Sequence, residues 1–427
     1  MPAPLQLDLR PLAAADFDPL WALLSLAFAE DVDGDLLEHE RALFEPERGL
    51  GVWDGGQLVG GTYLLSMHMT APGGADLPVA GVTGVGVAAT HRRRGIQRAM
   101  MTRQLADVHE LGQEALAVLW ASEGGIYGRY GYGAAAPRMK FSVARPAAGL
   151  LDPPSPGIQL RYSPADADVI GPLYEASRLA RPGGLGRPDA KWALLLSDVP
   201  SLRQGTSRLV VVVAEAVTTG AVGHEEPVLE GYVAYRTGRA GAEGEVRVQE
   251  LHATTPRAAH ALWAHVLDLD LMSTTSCWNV PVDLPLMHQL RAPRELGLTW
   301  RDGLWVRIVD LPAALAQRTY AADCDLVLDV RDEMCPWNAG TWRLAVSGCA
   351  GGTGGTGGTG GRPEVTRTDR TPDLTLSTTD LATAYLGGPT LAARAAAGLV
   401  VELRPGAVRE ASRAFAGDVA PWPTDMF

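Results

Sequence analysis

The chain has 427 residues, of which 46% are hydrophobic and 20% charged, enough apolar material for two to four packed domains. Its formal net charge of −12 argues against non-specific binding to nucleic acid, which needs a basic face, and no apolar run is long enough to span a bilayer. The four cysteines, Cys277, Cys324, Cys335 and Cys349, form no C-x-x-C pair and no metal-like spacing with histidine, so reduced thiols and no metal site are expected.

Residues 5–10 alternate as a short strand and lack the basic-then-apolar order of a signal peptide, so a cytoplasmic location is expected. Residues 16–29 place Leu20, Leu23, Leu24 and Phe28 on one stripe and predict a helix. Glu30, Asp31, Asp33, Asp35, Glu38 and Glu40 follow, the pattern of a solvated acidic face. Residues 51–53 and 58–67 flank Asp54-Gly55-Gly56 and predict two strands joined by a turn. Met67, near the end of the second, is a core residue by type.

The stretch that organises the chain is residues 85–101. Residues 77–87 are apolar and β-branched, as a buried strand requires. From Ile96 the apolar residues Met100, Leu105, Val108 and Leu111 fall close to helical spacing. Between them, the backbone N–H groups of residues 93–97 are the unpaired first donors of the helix. An open helix N-terminus beside Arg92, Arg93 and Arg94 suits a phosphate or pyrophosphate. Gly95 removes a side chain where such a ligand approaches the backbone. Residues 115–120 predict the next strand, parallel to the first, with the helix as crossover. The glycine-rich run 124–133 then carries Tyr127, Tyr130 and Tyr132. Its glycines allow a tight turn that brings a tyrosine hydroxyl inward, the alternative being an aromatic surface loop.

After the Pro- and Gly-rich residues 146–156 the pattern restarts. Ile158-Gln159-Leu160-Arg161 echoes Leu7-Asp8-Leu9-Arg10, and Asp166 to Tyr174 echoes Asp16 to Trp21, as in a duplicated fold. Strands are predicted at 208–215, 229–235 and 246–253, the last leading through residues 254–260 into a helix with Leu262, Trp263 and Val266. Here Pro256 and Arg257 replace the triple arginine and no glycine stands at the turn, so this copy is expected to have lost the anion site. From residue 309 a third region shows strands at 325–330, 341–347 and 373–377 and short helices at 379–386, 391–397 and 410–415, an α+β unit. The Gly/Thr run 351–361 between two of those strands is expected to be a flexible loop. The last residues, Pro421-Trp422-Pro423-Thr424-Asp425-Met426-Phe427, are apolar and proline-stiffened. They are less prone to fray than a charged end, and an anchored Phe427 would hold its α-carboxylate as a fixed negative charge.

The pattern V-x-V-x-x-x-x-R-R-x-G from Val85 to Gly95 resembles the acetyl-CoA-binding motif of the GCN5-related N-acetyltransferases. The run Ser122 to Gly133 resembles the segment that marks the enhanced intracellular survival (Eis) branch of that superfamily. The resemblance spans Leu5 to Phe427. It implies an α/β (α+β) chain: tandem GCN5-related acetyltransferase folds, at 1–145 with an acetyl-CoA site and at 156–308 without one. A sterol-carrier-protein-like α+β domain at 309–427 follows, its C-terminus entering the active site. It implies acetyl-CoA as donor, held by Val85, Gly86, Val87, Arg92, Arg93, Arg94, Gly95, Ile96, Gln97, Arg98, Ser122 and Glu123. In that fold the backbone of Val85 and Val87 pairs with the pantetheine arm like an added strand, and Ser122 and Glu123 lie near the thioester. It makes Tyr127 the general acid and the α-carboxylate of Phe427 the base, with Phe28, Glu30 and Met67 on the acceptor side and Glu30 toward an ammonium group. The implied activity is acetylation of primary amines of aminoglycosides or protein lysines, at several positions, by a cytoplasmic homo-hexamer that needs no metal. Two residues depart from the pattern. Gln97 stands where the superfamily loop has a small residue, a departure shared with the Eis branch. Met426 stands where Eis proteins often carry an acid before the final phenylalanine. A non-catalytic module binding lipid or protein on the same scaffold is the alternative, against which the Gly95 turn and Tyr127 both weigh.

Overall fold

The computed structural model describes residues 7–31, 33–216, 228–240, 243–349 and 362–427. The Gly/Thr run 351–361 and Leu5 lie outside the described residues. The chain divides into two compact units. One comprises Met1–Ala136, Arg181–Gly186 and Asp302–Phe427; the other comprises Pro137–Ala180 and Arg187–Arg301.

The first unit begins with β1 (Leu7–Pro11), α1 (Phe17–Phe28), α2 (Gly34–Leu43), β2 (Gly49–Asp54), β3 (Gln57–Thr70), β4 (Asp76–Val87), α3 (Ile96–Leu111) and β5 (Leu116–Trp120). The strands lie in the order β1-β2-β3-β4-β5, antiparallel except for the parallel pair β4–β5 that α3 bridges. Helix α1 buries Phe17, Leu20, Leu23 and Leu24 and ends where Ala29 turns left-handed. The acidic stretch after it is solvated, as its sequence reading has it, and most of it is helical. Asp33 accepts from the Asp35 amide at 2.9 Å and so caps α2, a helix with no buried residue. Charge masked the period because this helix contributes nothing to the core.

Two features of β4 prepare the site. Its pairing with β3 slips between Gly61 and Tyr63, leaving one extra residue in β4 beside Gly84, whose φ is +59°. Such a bulge bends the strand. Its pairing with β5 is confined to Ala80–Ala117 and Gly81–Val118, although β4 runs on to Val87. The two strands therefore part at Gly81, and strand Thr299–Ile308 pairs with β5 from Leu116 to Trp120.

The same unit holds a five-stranded sheet in the order Arg362–Arg367, Gly340–Ser347, Cys324–Arg331, Leu374–Ser377, Val401–Glu402, packed with helices Leu311–Ala316, Thr378–Ala384, Leu391–Ala396 and Ala407–Phe415. One apolar core runs from Met67, Met69 and Val79 to Leu326, Leu344, Leu376 and Leu381. Within it Arg318 is fully buried, with no carboxylate partner among the described residues. It donates to the carbonyls of Tyr385 at 2.5 Å and Phe415 at 2.9 Å, the negative ends of two helices, and lies 4.5 Å from the Phe415 ring. Burial alone pulls its pKa down. Arg318→Met strands those carbonyls, so it is expected to destabilise the unit by about 2–4 kcal/mol, seen as a lower melting midpoint in circular dichroism.

The second unit repeats the β-α-β theme. Strand Glu243–Ala253 pairs parallel with Thr274–Val280 across helix Pro256–Leu267, and Val228–Ala240, Val210–Ala216 and Ile158–Ser163 extend the sheet. Val212, Val233, Val246, Leu262 and Trp263 share its core.

Candidate active site

A cleft of about 670 Å³ opens at the N-terminus of α3. Val85, Gly86 and Val87 of β4 form one wall. Arg92, Arg93, Gly95, Ile96, Gln97 and Arg98 of the turn into α3 line it as well, with Ser122, Glu123 and Tyr127 after β5 and Phe28 at the end of α1. The structure thus gathers every sequence-predicted donor residue except Arg94, which is exposed outside the lining. Ala27, His91, Ile126, Arg129 and Tyr130 also line it and were not singled out for this role by the sequence. Of these, Ile126, Arg129 and Tyr130 lie inside the glycine-rich run and His91 inside the stretch 85–101.

The turn into α3 has identifiable causes. Arg93 (φ +64°) and Gly95 (φ +78°) are both left-handed, and His91 Nε2 lies 3.0 Å from Asp54 Oδ2, tying the turn to the β2–β3 hairpin. Ile96 and Met100 bury against Val52 and Val59, and Gly60 lacks the Cβ that would stand 2.7 Å from Ile96 Cγ2. Gly95 itself supplies no side-chain cap, and no atom comes within 4 Å of where its Cβ would be. The first α3 amides are therefore open to the cleft. Among the described residues Arg92, Arg93, Arg94 and Arg98 take part in no ion pair. Open amides, a positive helix end and guanidinium groups without an ion-pair partner are chemically suited to an anion. Beyond Gly81 the edge of β4 has lost β5, so the backbone of Val85 and Val87 borders a gap that an extended chain can fill.

Tyr127 opens a 3₁₀ turn, Tyr127–Tyr130, which closes at Gly131 (φ +85°) with Gly131 N donating to Gly128 O at 3.1 Å. The run is not a surface loop: Tyr127, Tyr130 and Tyr132 are all buried. The Tyr127 ring packs edge-on to Tyr132 at 6.0 Å between centroids. Burial, with Tyr130 as a lesser cause, pushes the Tyr127 phenol up to about 12.

The remaining predicted residues do not line this cleft. Glu30 is exposed just past α1, its amide donating to Ser25 O. Met67 lies beneath, at 8% exposure, and belongs to the apolar core. Its sulfur fills the place a Cβ on Gly81 would take, and Phe427 Cε2 is 3.2 Å from the same point. The Phe427 ring is therefore seated where β4 and β5 part. The tail reaches that point along a strap the sequence did not reveal, Arg181–Gly186. Gly183 N donates to Thr70 O and Thr70 N to Gly184 O, both at 2.8 Å, extending the end of β3. On this strap Trp422 N donates to Pro182 O at 2.9 Å, Arg181 Nη1 to Ala420 O at 2.8 Å, and Leu185 N to Thr424 Oγ1 at 3.0 Å. Asp425 is buried and accepts from the Met426 amide at 2.8 Å, while the Met426 side chain is exposed.

The second unit shows the contrasting case. At the start of helix Pro256–Leu267, Thr255 Oγ1 accepts from Ala258 N at 3.3 Å. Glu230 takes the Thr255 hydroxyl at 2.5 Å and the Arg257 guanidinium, which holds its carboxyl below the usual range. Donor and cation are spent internally, so this helix end offers an anion nothing. Among the described residues no group of three or more His, Cys, Asp or Glu is placed to hold a metal ion, and no helix is long and apolar enough to cross a membrane. Burial pushes the thiols of Cys277, Cys324 and Cys335 up to about 12, away from thiolate reactivity.

Residues 8–135 match a family described as acetyltransferase (GNAT) domain, residues 183–308 a second family with the same description, and residues 311–424 the sterol carrier protein domain. The chain is 41% identical over 423 residues to an uncharacterized N-acetyltransferase of Streptomyces avermitilis, covering 97% of this chain and 98% of that protein. It is 31% identical over 418 residues to the N-acetyltransferase Eis of Mycobacterium tuberculosis, covering 95% of each. The crystal structure of Eis1 from Mycobacterium abscessus superposes with a TM-score of 0.80 at 31% identity, covering 99% of this chain and 100% of that one.

Proposed function

The chain belongs to the Eis family of GCN5-related N-acetyltransferases, two acetyltransferase folds followed by a sterol-carrier fold, and from that premise we propose that it moves acetyl from acetyl-CoA to primary amines of cationic acceptors, aminoglycosides and protein lysines. The observation that carries this reading is the meeting, in one cleft, of an uncapped helix N-terminus with unpaired arginines and a buried tyrosine turn. The amides after Gly95, with Arg92, Arg93 and Arg98, hold the pyrophosphate. The free edge at Val85 and Val87 aligns the pantetheine arm, Ser122 and Glu123 border its thioester end, and Phe28 and Glu30 flank the acceptor. The donor supplies a thioester carbon open to attack by an amine.

An alkylammonium of pKa about 10.4 is almost wholly charged at pH 7, so the acceptor must lose a proton first. The α-carboxylate of Phe427 takes it, directly or through one water, a role supported by the seating of the Phe427 ring beside Gly81. Tyr127 faces the departing sulfur. A phenol at about 12 keeps its proton throughout the physiological range. As the amine nitrogen bonds to the thioester carbon, the C–S bond breaks and the nitrogen loses its second proton to water; full transfer from Tyr127 to a thiolate of pKa about 8.5 is uphill, so Tyr127 donates a strong hydrogen bond to the departing sulfur, which takes its proton from water. The family likeness further supports a cytoplasmic homo-hexamer that works without a metal.

The test is acetyl transfer by the purified chain to a panel of aminoglycosides and lysine peptides, followed as CoA thiol release. Turnover is expected, and deletion of Phe427 is expected to lower kcat about 10²-fold or more while acetyl-CoA binding is kept. Saturable acetyl-CoA binding with no acetylated panel member would overturn the acceptor class. Full activity without Phe427 would move the base elsewhere.

A further inference from the structure

Arg307 lies in strand Thr299–Ile308, wholly buried, and its Nη2 makes a bifurcated ion pair with Asp332, to Oδ1 at 2.7 Å and to Oδ2 at 2.8 Å. That carboxylate is itself fixed: it accepts from Met334 N at 3.1 Å, Cys335 N at 2.9 Å and Asn338 Nδ2 at 3.2 Å. Arg307 Nη1 donates to Ile308 O at 2.9 Å. The guanidinium is thus locked from the sterol-carrier side. Its other face lies directly under Gly131, where a Cβ would stand 2.6 Å from Arg307 Cζ, 2.8 Å from Nε and 2.9 Å from Nη1. Gly131 ends the Tyr127–Tyr130 turn, and the next residue, Tyr132, packs edge-on to Tyr127 and donates its amide to Tyr127 O at 3.4 Å.

The pair is a poor choice for stability alone. Arg307 Nε and the Tyr132 hydroxyl are both buried and, among the described residues, neither has a hydrogen-bond partner. An apolar residue of similar volume would usually serve a core as well or better. What a planar, always-charged group held by a carboxylate and a backbone carbonyl does supply is a fixed surface at a fixed height. We propose that Arg307, locked by Asp332, is the positioning residue for Tyr127: its guanidinium is the platform on which the Gly131 end of the tyrosine turn rests. This rests on the reading of Tyr127 as donor to the leaving sulfur. It makes the sterol-carrier part a working support of the acetyltransferase cleft.

The experiment compares Arg307→Lys, Arg307→Met and Asp332→Asn, each alone and combined with Tyr127→Phe, by steady-state thiol release and by CoA binding. A displacement near 1 Å at a reacting group costs on the order of 10²-fold. With Tyr127 present, each variant is expected to lower kcat about 10- to 100-fold, while CoA affinity stays within about 3-fold. With Tyr127→Phe, the same variants are expected to cost less than about 3-fold more, because the group they position is gone. A general loss of packing would reduce both backgrounds equally, and that result overturns the proposal, as does wild-type kcat in Arg307→Lys. If Tyr127→Phe alone keeps full activity, the donor reading falls first and the two failures are told apart. Melting curves identify a variant that fails to fold; should Arg307→Met be one, Arg307→Lys, which keeps the charge but not the planar group, and Asp332→Asn, which keeps the shape of the acceptor but not its charge, decide the question.

Discussion

Replacing Tyr127 by phenylalanine is expected to lower kcat by about 10²- to 10³-fold and to leave acetyl-CoA affinity nearly unchanged, the cost of losing a positioned hydrogen-bond donor at the leaving group. The substitution removes one oxygen from a ring that keeps its packing against Tyr132, so stability is expected to change little. The pH profile tests the same assignment independently. Burial disfavours the phenolate and raises the Tyr127 pKa from 10.0 to about 12. A group raised in this way stays in its neutral, donating form until pH passes that value. The wild-type rate should therefore climb with pH as the acceptor amine loses its proton, with no falling limb from Tyr127 below about pH 11. Thiol release measured from pH 6 to 10 checks this. A falling limb near pH 9 to 10 that vanishes in Tyr127→Phe would show a phenol of ordinary acidity and refute the buried-donor account.

Gly95→Asp is expected to weaken acetyl-CoA binding about 10²-fold while leaving the fold intact. Gly95 adopts φ +78° with open space around it, and aspartate tolerates this conformation better than most residues. Its carboxylate would accept from the first α3 amides, a good cap for the helix, and would take the donors a pyrophosphate needs while repelling it. Stability and binding should therefore move in opposite senses or binding alone should fall. The protein already contains the closed arrangement: Thr255, with Glu230 and Arg257, seals the equivalent helix end in the second unit. Calorimetry with CoA gives the affinity. A truncated thioester without the pyrophosphate should react with the variant within about 3-fold of wild type, and an equal loss for both donors would place the damage elsewhere.

Much of the donor half of the cleft was legible in the sequence. A β-branched run, a basic turn with one glycine and a helical stripe are local signals, and they set β4, the Gly95 turn and α3 where the structure has them. The apolar tail was legible for the same reason. The surroundings of α2 and of the C-terminal tail were less so. Helix α2 buries no residue, so it left no apolar period, and its start depends on one Asp33 cap. The strap Arg181–Gly186 reads as a Pro-Gly loop, because its extended form is imposed by Thr70 and by the tail rather than by its own residues. Met67, a core residue by type that the resemblance sets on the acceptor side, packs in the apolar core, its sulfur where a Cβ on Gly81 would stand and close to the Phe427 ring. The Arg307–Asp332 pair gives no sequence signal at all: its members lie 25 residues apart in different elements, and only the folded backbone shows Gly131 above them.

The unit that holds the cleft is built from three separate pieces of chain, with the second unit inserted between them. This has a consequence for biosynthesis. Strand β5 leaves the ribosome about 180 residues before the strand that pairs with it from Leu304 to Ile308. Until then one side of β5 offers unpaired backbone, the kind of edge that recruits other chains and delays folding. The inserted unit, assembled from Pro137 to Arg301, can close its own core in that interval. The cleft is thus completed late and through distant contacts, which makes a nascent chain of this protein a natural client of chaperones and makes slow, cool expression the condition under which active enzyme should accumulate.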